Sequence, residues 1–207
     1  MKADLHIHTK FSKDSSLEPE DILKAAKGRV DAIGVTDHDT IKGALATREK
    51  ARDGDVEVIV GIEVKTDKGE VLGFGIEEEI TERDFWDVVE AIKGQGGIVG
   101  LSHPFDSFRF YSLTPSDEIV KALDFVEVFN SRCIRSSFNE KALEYAKKHK
   151  LGMTAGSDAH TLGEIGRAGV ITDSFELRKL IESRKVFGER VGPTELLKTK
   201  INKILHF

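Results

Sequence analysis

Short apolar segments alternate with longer amphipathic ones along nearly the whole 207-residue chain, and few folds admit that rhythm. Strands are predicted near Ala3–His8, Ala32–Thr36, Val56–Ile62, Val71–Ile76, Ile98–Ser102, Phe125–Phe129, Gly152–Ala155 and Gly169–Thr172. Between them lie helix-start signals at Ser16-Leu17-Glu18-Pro19, Thr81-x-x-Asp84 and Thr114-Pro115-Ser116-Asp117. Further helices are predicted over Ile41–Arg52, Ser137–Lys150 and Ser174–Arg184. A strand–helix repeat of this kind builds an α/β fold, a parallel sheet covered by helices. No long polar linker interrupts it, which favours one closed or nearly closed barrel over two domains. The chain is shorter than the roughly 250 residues of an eight-fold barrel, so seven strands or a distorted barrel are expected over residues 1–192. The stretch Pro193–Phe207, with Leu196, Leu197, Ile201, Ile204 and Leu205, is predicted to be an amphipathic helix packed on the same domain.

Composition narrows the partners. A net charge of -5 offers no global electrostatic footprint for duplex nucleic acid. No apolar run reaches the length of a membrane span, and Met1-Lys2-Ala3-Asp4 leads directly into a strand rather than a signal peptide, so a cytoplasmic location is expected. Cys133 is the one cysteine, which rules out an internal disulfide and any multi-cysteine metal site. A metal would have to be held by His, Asp and Glu.

The histidines are the most informative residues. His6, His8, His38, His103 and His160 stand at or just beyond predicted strand ends, while His149 and His206 are expected to be solvated. In a parallel α/β fold the carboxyl ends of the strands share one side, so residues distant in sequence converge there. Period-two alternation in Asp4-Leu5-His6-Ile7-His8 sends Asp4, His6 and His8 to one face. Glu63 follows a strand, as do Asp37 and Asp39 around His38 and Asp158 before His160. Convergent imidazoles and carboxylates point to metal.

The ordered segments Asp4-Leu5-His6-Ile7-His8, Thr36-Asp37-His38-Asp39, Gly61-Ile62-Glu63-Val64, Ser102-His103-Pro104 and Gly156-Ser157-Asp158-Ala159-His160 resemble the PHP (polymerase and histidinol phosphatase) family. The resemblance implies a distorted (β/α)7 TIM-like barrel whose mouth holds two or three divalent ions, manganese, iron or zinc, for phosphoester hydrolysis. It implies His6, His8, Glu63 and Asp158 around a first metal, with Glu63 bridging to a second that His103 helps complete. His38, His160 and Asp14 would hold a third. Many relatives carry His where Glu70 stands; Glu70 is either a carboxylate replacement on the second metal or a solvated charge at a turn.

Around such a cluster, phosphate oxygens need positive charge, and Arg132 and Arg167 are the candidates, each with a surface ion pair as the alternative. Lys10 and Lys42 are weaker ones. Asp37 and Asp39 are expected to orient His38. Asp158 or His160 would assist proton transfer. These readings converge on a metal-dependent phosphoesterase acting on a small phosphorylated substrate, a nucleotide or short oligonucleotide among them, with no membrane and no obligatory protein partner. The alternatives are a non-catalytic metal-binding module and a metal-dependent hydrolase of another bond. Phe105, Phe108, Phe110 and Tyr111 form either an aromatic flap that stacks a base or a loop packed on the rim.

Overall fold

The computed structural model describes residues 1–192 and Leu196, so the helix predicted over Pro193–Phe207 lies, that one residue aside, outside the described residues. Nine strands form one sheet: β1 (Lys2–Ile7), β2 (Ala32–Val35), β3 (Glu57–Lys65), β4 (Glu70–Phe74), β5 (Ile98–Leu101), β6 (Phe125–Asn130), β7 (Gly152–Gly156), β8 (Ala168–Ile171) and β9 (Val186–Gly188). Their spatial order is β7-β6-β5-β4-β3-β2-β1-β8-β9. The helices are α1 (Pro19–Ala26), α2 (Lys42–Lys50), α3 (Phe85–Gly94), α4 (Ser136–His149) and α5 (Leu177–Glu182). Pro19 opens α1, and the Asp84 carboxylate caps α3 by accepting from the amides of Trp86 and Asp87. The helix expected after Thr114-Pro115 reduces to one 3-10 turn, Ile119–Ala122. Asp124 N already joins Val99 O at 2.8 Å, so the chain has room for no more.

The sheet curls into a nearly closed barrel. Pairing is parallel from β1 through β3 and from β5 through β7. β7 returns to β1 through a parallel bridge between Ala159 and Ile7, with His8 N donating to Ala159 O at 3.1 Å. Asp4 reinforces this seam: its carboxylate accepts from Ser157 N at 2.8 Å, Ser157 Oγ at 2.6 Å and Gly166 N at 2.8 Å.

Two features depart from the all-parallel expectation. β8 runs antiparallel to β1 and β9 antiparallel to β8. β4 is antiparallel to both β3 and β5, because the Thr66–Gly69 link is too short for a crossover and turns back as a hairpin. Thr66 holds the turn, its hydroxyl donating to Gly69 O at 2.6 Å, and Gly69 takes a φ of 142°. The reversal brings the start of β4, Glu70, to the same end as the finish of β3.

The packing also corrects the alternation expected along β1. Ala3 and Leu5 belong to a cluster fed by the strands, with Ile59, Leu72, Phe74, Ile98, Phe125 and Ala155, which fills the barrel. Ile7 belongs to the cluster that gathers the helix faces. A register shift between Asp4 and Ile7 lets β1 change face, so His6 and His8 point into the mouth while Asp4 turns to the seam. Leu180 and Ile181 of α5 join the inner cluster, and Ile181 packs against Gly152 at the start of β7, so α5 covers the end opposite the mouth.

Gly100 lets the Phe125 ring lie flat against β5; a Cβ there would run into that ring. Overpacking of this kind costs ~1–3 kcal/mol. Gly100→Ala is expected to lower the unfolding free energy by that amount, read as a lower urea midpoint, without changing secondary structure; an unchanged midpoint would contradict this account of the barrel interior.

Candidate metal centre

All five strand-end histidines meet at the barrel mouth. Nε2 of His6 and Nε2 of His8 face each other across 3.0 Å. Glu63 Oε2 lies 3.4 Å from each, and Asp158 Oδ1 lies 3.7 Å from the first and 3.3 Å from the second. Glu63 also reaches His38 Nδ1 at 3.1 Å, and its other oxygen reaches His103 Nε2 at 3.0 Å. Ser102 Oγ donates to that second oxygen at 2.5 Å. Asp14 Oδ2 stands between His38 Nε2 at 3.2 Å and His160 Nε2 at 3.3 Å.

Glu70 is buried, 3.5 Å from His103 Nε2 and 3.7 Å from His38 Nδ1, so it is no solvated turn residue. The hairpin explains its place: a residue opening an antiparallel strand sits beside residues that close parallel ones. Asp37 accepts from Thr9 N and Oγ1 and lies against Gly43 of α2, where no side chain would fit. Asp39 Oδ1 accepts from Lys65 N at 3.0 Å. Arg132 Nη1 donates to buried Glu164 at 2.6 Å, and the other oxygen of Glu164 accepts from His160 N, so this pair braces the His160 loop. Arg167 Nε donates to Gly163 O at 3.3 Å on the same connection.

Two participants escaped the sequence reading. Glu127, buried in β6, accepts from His6 Nδ1 at 2.9 Å and from His103 N at 2.8 Å. A carboxylate inside the apolar run Phe125–Phe129 was the signal. Arg109 Nη2 lies 2.6 Å from Asp158 Oδ2, and nothing in the spacing of a polar loop residue forecasts that reach.

Among the described residues, three of the six non-glycine residues with positive φ stand at the mouth. Asp39, His103 and Asp158 have φ of 60°, 26° and 55°. Such conformations persist where the surroundings over-determine them, typically at functional sites.

Electrostatics match a cation cradle. Burial, with His160 and His38 nearby, lowers His8 to about 3, so the ring stays neutral with a lone pair to give. Burial opposes charge on His38, yet Glu63, Asp14 and Glu70 lift it to about 9. Burial works against the Glu63 and Asp158 carboxylates too; His6 and His38 hold the first well below the usual range, and Arg109 and His6 hold the second. Burial and the charge of Glu63 raise Glu70.

These residues fit divalent metal. Glu127 accepts from Nδ1 of His6, which fixes the ring so that Nε2 is the nitrogen facing the point shared with His8, Glu63 and Asp158. Two imidazole nitrogens and two carboxylate oxygens turned to one point are a donor set that a divalent cation takes. Among the described residues, three groups could hold an ion, with donor atoms within 4.8 Å of one another: His6, His8 and Asp158; His8, Asp14 and His38; His38, Glu63 and Glu70.

A family model for the PHP domain matches residues 4–192. The chain belongs to the PHP domain family. An uncharacterized Methanocaldococcus jannaschii protein, MJ0417, is 36% identical over 98% of this PHP chain and 84% of its own length. The phosphoribosyl 1,2-cyclic phosphate 1,2-diphosphodiesterase of Eggerthella lenta is 36% identical over 38% of the PHP chain and 32% of its own. Among solved structures, a two-domain Bacteroides vulgatus protein containing a predicted PHP-like metal-dependent phosphoesterase superposes with a TM-score of 0.74 at 18% identity, over 98% of this chain and 69% of that one. That likeness shows a shared fold.

Groups that orient a metal-binding imidazole typically change metal affinity about 10–100-fold when removed. Glu127→Ala is expected to weaken manganese binding by that factor in a competition with a fluorescent chelator. Unchanged affinity would mean that Glu127 serves packing alone.

Proposed function

We propose that this chain is a metal-dependent phosphoesterase that hydrolyses a small phosphorylated substrate, phosphomonoester or phosphodiester, with nucleotides among the candidates. The observation that carries the reading is the convergence of His6, His8, Glu63 and Asp158 on one point, with His38, Asp14, His160, Glu70 and His103 around it. The Eggerthella lenta enzyme supports the phosphodiester branch.

His6, His8, Glu63 and Asp158 would hold a first ion; Glu63, Glu70 and His103 a second; Asp14, His38 and His160 a third. Bound divalent ions would supply a hydroxide near neutral pH and offset charge on the phosphoryl oxygens. The protein's own part is orientation: Glu127 fixes the His6 ring, Ser12 Oγ lies 3.0 Å from His8 Nδ1, and Ser102 fixes Glu63. His160 or Asp158 would assist proton transfer; His160 Nδ1 lies 2.8 Å from Asp158 O and 3.5 Å from its Oδ1. Arg132 and Arg167, on the loops after β6 and β7, would add positive charge toward phosphate.

The aromatic loop divides. Phe105 packs edge-on against Tyr145 and Phe108 against Phe138, both on α4, as rim packing requires. Phe110 is 98% exposed, whereas Tyr111 packs edge-on against it and lies under Lys65 Nζ, so Phe110 is the ring most open to stack on a nucleobase.

The test is a panel of phosphomonoesters and phosphodiesters assayed with added manganese, together with elemental analysis. Turnover of at least one class is expected, and His6→Ala should abolish it while leaving far-ultraviolet circular dichroism nearly unchanged. An inert wild type with full metal would make the chain a binding module. Phe110→Ala should weaken nucleotide binding by ~1–3 kcal/mol while scarcely affecting a small non-aromatic phosphoester. Equal losses on both would remove the stacking role.

A further inference from the structure

Arg109 is the one cation seen to salt-bridge the cluster directly among the described residues, and it arrives from the loop after β5 rather than from a strand. Its fork is organised. Nη2 donates to Asp158 Oδ2 at 2.6 Å and to Asn130 Oδ1 at 3.2 Å, and Nε donates to Asp106 Oδ2 at 3.2 Å. Buried Asp106 also accepts from Phe108 N, and Arg109 N donates back to Asp106 O, so the carboxylate and backbone of one residue hold the turn that presents the guanidinium. Among the described residues, Nη1 makes no hydrogen bond. The side chain keeps 25% of its surface open.

The loop is pinned on its far side as well. Glu70 N donates to Tyr111 O at 3.1 Å, and Phe105 N donates to Leu113 O at 3.0 Å to close the base. One short loop therefore touches two members of the metal-binding set, Asp158 through Arg109 and Glu70 through Tyr111, while Phe110 projects outward between those contacts.

We infer that Arg109 is a substrate-binding residue: Nη2 steadies Asp158 while Nη1 takes a phosphoryl oxygen of the substrate over the cluster. The inference rests on the phosphoesterase reading and adds the group that recognises its anion. A guanidinium suits both tasks, because its planar fork engages two oxygen acceptors at once and it is charged at every working pH. Its site is otherwise rich in carboxylates, where an incoming phosphate would be repelled. Arg132 has its Nη1 on Glu164 and shares Asn130 Oδ1 with Arg109 through its backbone N, so of the two neighbouring arginines Arg109 is the one whose guanidinium reaches the cluster.

The test uses the manganese-loaded protein and inorganic phosphate. Phenylglyoxal labelling of Arg109, located by peptide mass spectrometry, is expected to fall several-fold when phosphate is present, with labelling of exposed Arg83 unchanged as an internal reference. In parallel, Arg109→Lys keeps a charge beside Asp158 but loses the fork. It should weaken phosphate binding by about 10–100-fold in calorimetry, as expected for a charge-assisted contact, with metal content retained. Labelling of Arg109 that phosphate does not change overturns the inference whatever the variant does. Retained phosphate affinity in Arg109→Lys overturns it too. Loss of metal from the variant with phosphate protection intact in the wild type adds a positioning role through Asp158 and leaves the substrate contact supported. Failure of the phosphoesterase reading is separable: it appears as no turnover of any phosphoester, whereas phosphate can still protect Arg109.

Discussion

Carboxylates crowded into a buried mouth set the terms for everything around them. Glu63, Glu70, Glu127 and Asp158 are all shielded from water, and each lies within reach of at least one imidazole of the cluster. Like charges at such distances in a poorly solvated site repel strongly, and each pays a desolvation penalty as well. The protein meets this with a layered arrangement. His6 and His38 carry positive character, His8 is kept neutral between them, Arg109 engages the outer oxygen of Asp158, and backbone amides and hydroxyls absorb remaining lone pairs. Where His6, His8 and Asp158 converge within that arrangement, the donor set is one that a divalent ion fits.

The barrel exists to hold that crowd in register. Its seam is the weak place in any such closure, and here it is stitched by polar groups: Asp4 binds Ser157 and Gly166, and Ala159 bridges to Ile7 just below the site. Burial lifts the Asp4 carboxyl to about 6 even against those hydrogen bonds. Asp158 and His160 follow Ser157 immediately, so the same stitches that close the barrel position one side of the metal centre.

The βα rhythm and the placement of histidines at strand ends were legible in the sequence because both are local: they depend on the apolar period within a strand and on the shared direction of parallel strands. Three features were not. The direction of β4 is decided by a four-residue link whose Thr66 and Gly69 close a hairpin, and a strand-by-strand reading treats it as one more parallel unit. Asp4 leaves the face of His6 because of a register shift, which period-two counting cannot see. Arg109 reaches Asp158 across 49 residues of chain, and only the folded loop after β5 brings them together.

The left-handed backbone at Asp39, His103 and Asp158 carries a further consequence for how such chains are read. Asn, Asp and His are the non-glycine residues that tolerate this conformation best. Two of those types are also the ones that bind metal, so at these positions geometry and chemistry select from the same short alphabet. A descendant that stopped using metal would still favour Asp or Asn at position 158 to keep its turn. His6, His8, His38 and Glu63 have no positive φ to defend. Substitution at those four positions would be the earlier and cleaner mark of a lineage that has given up the chemistry.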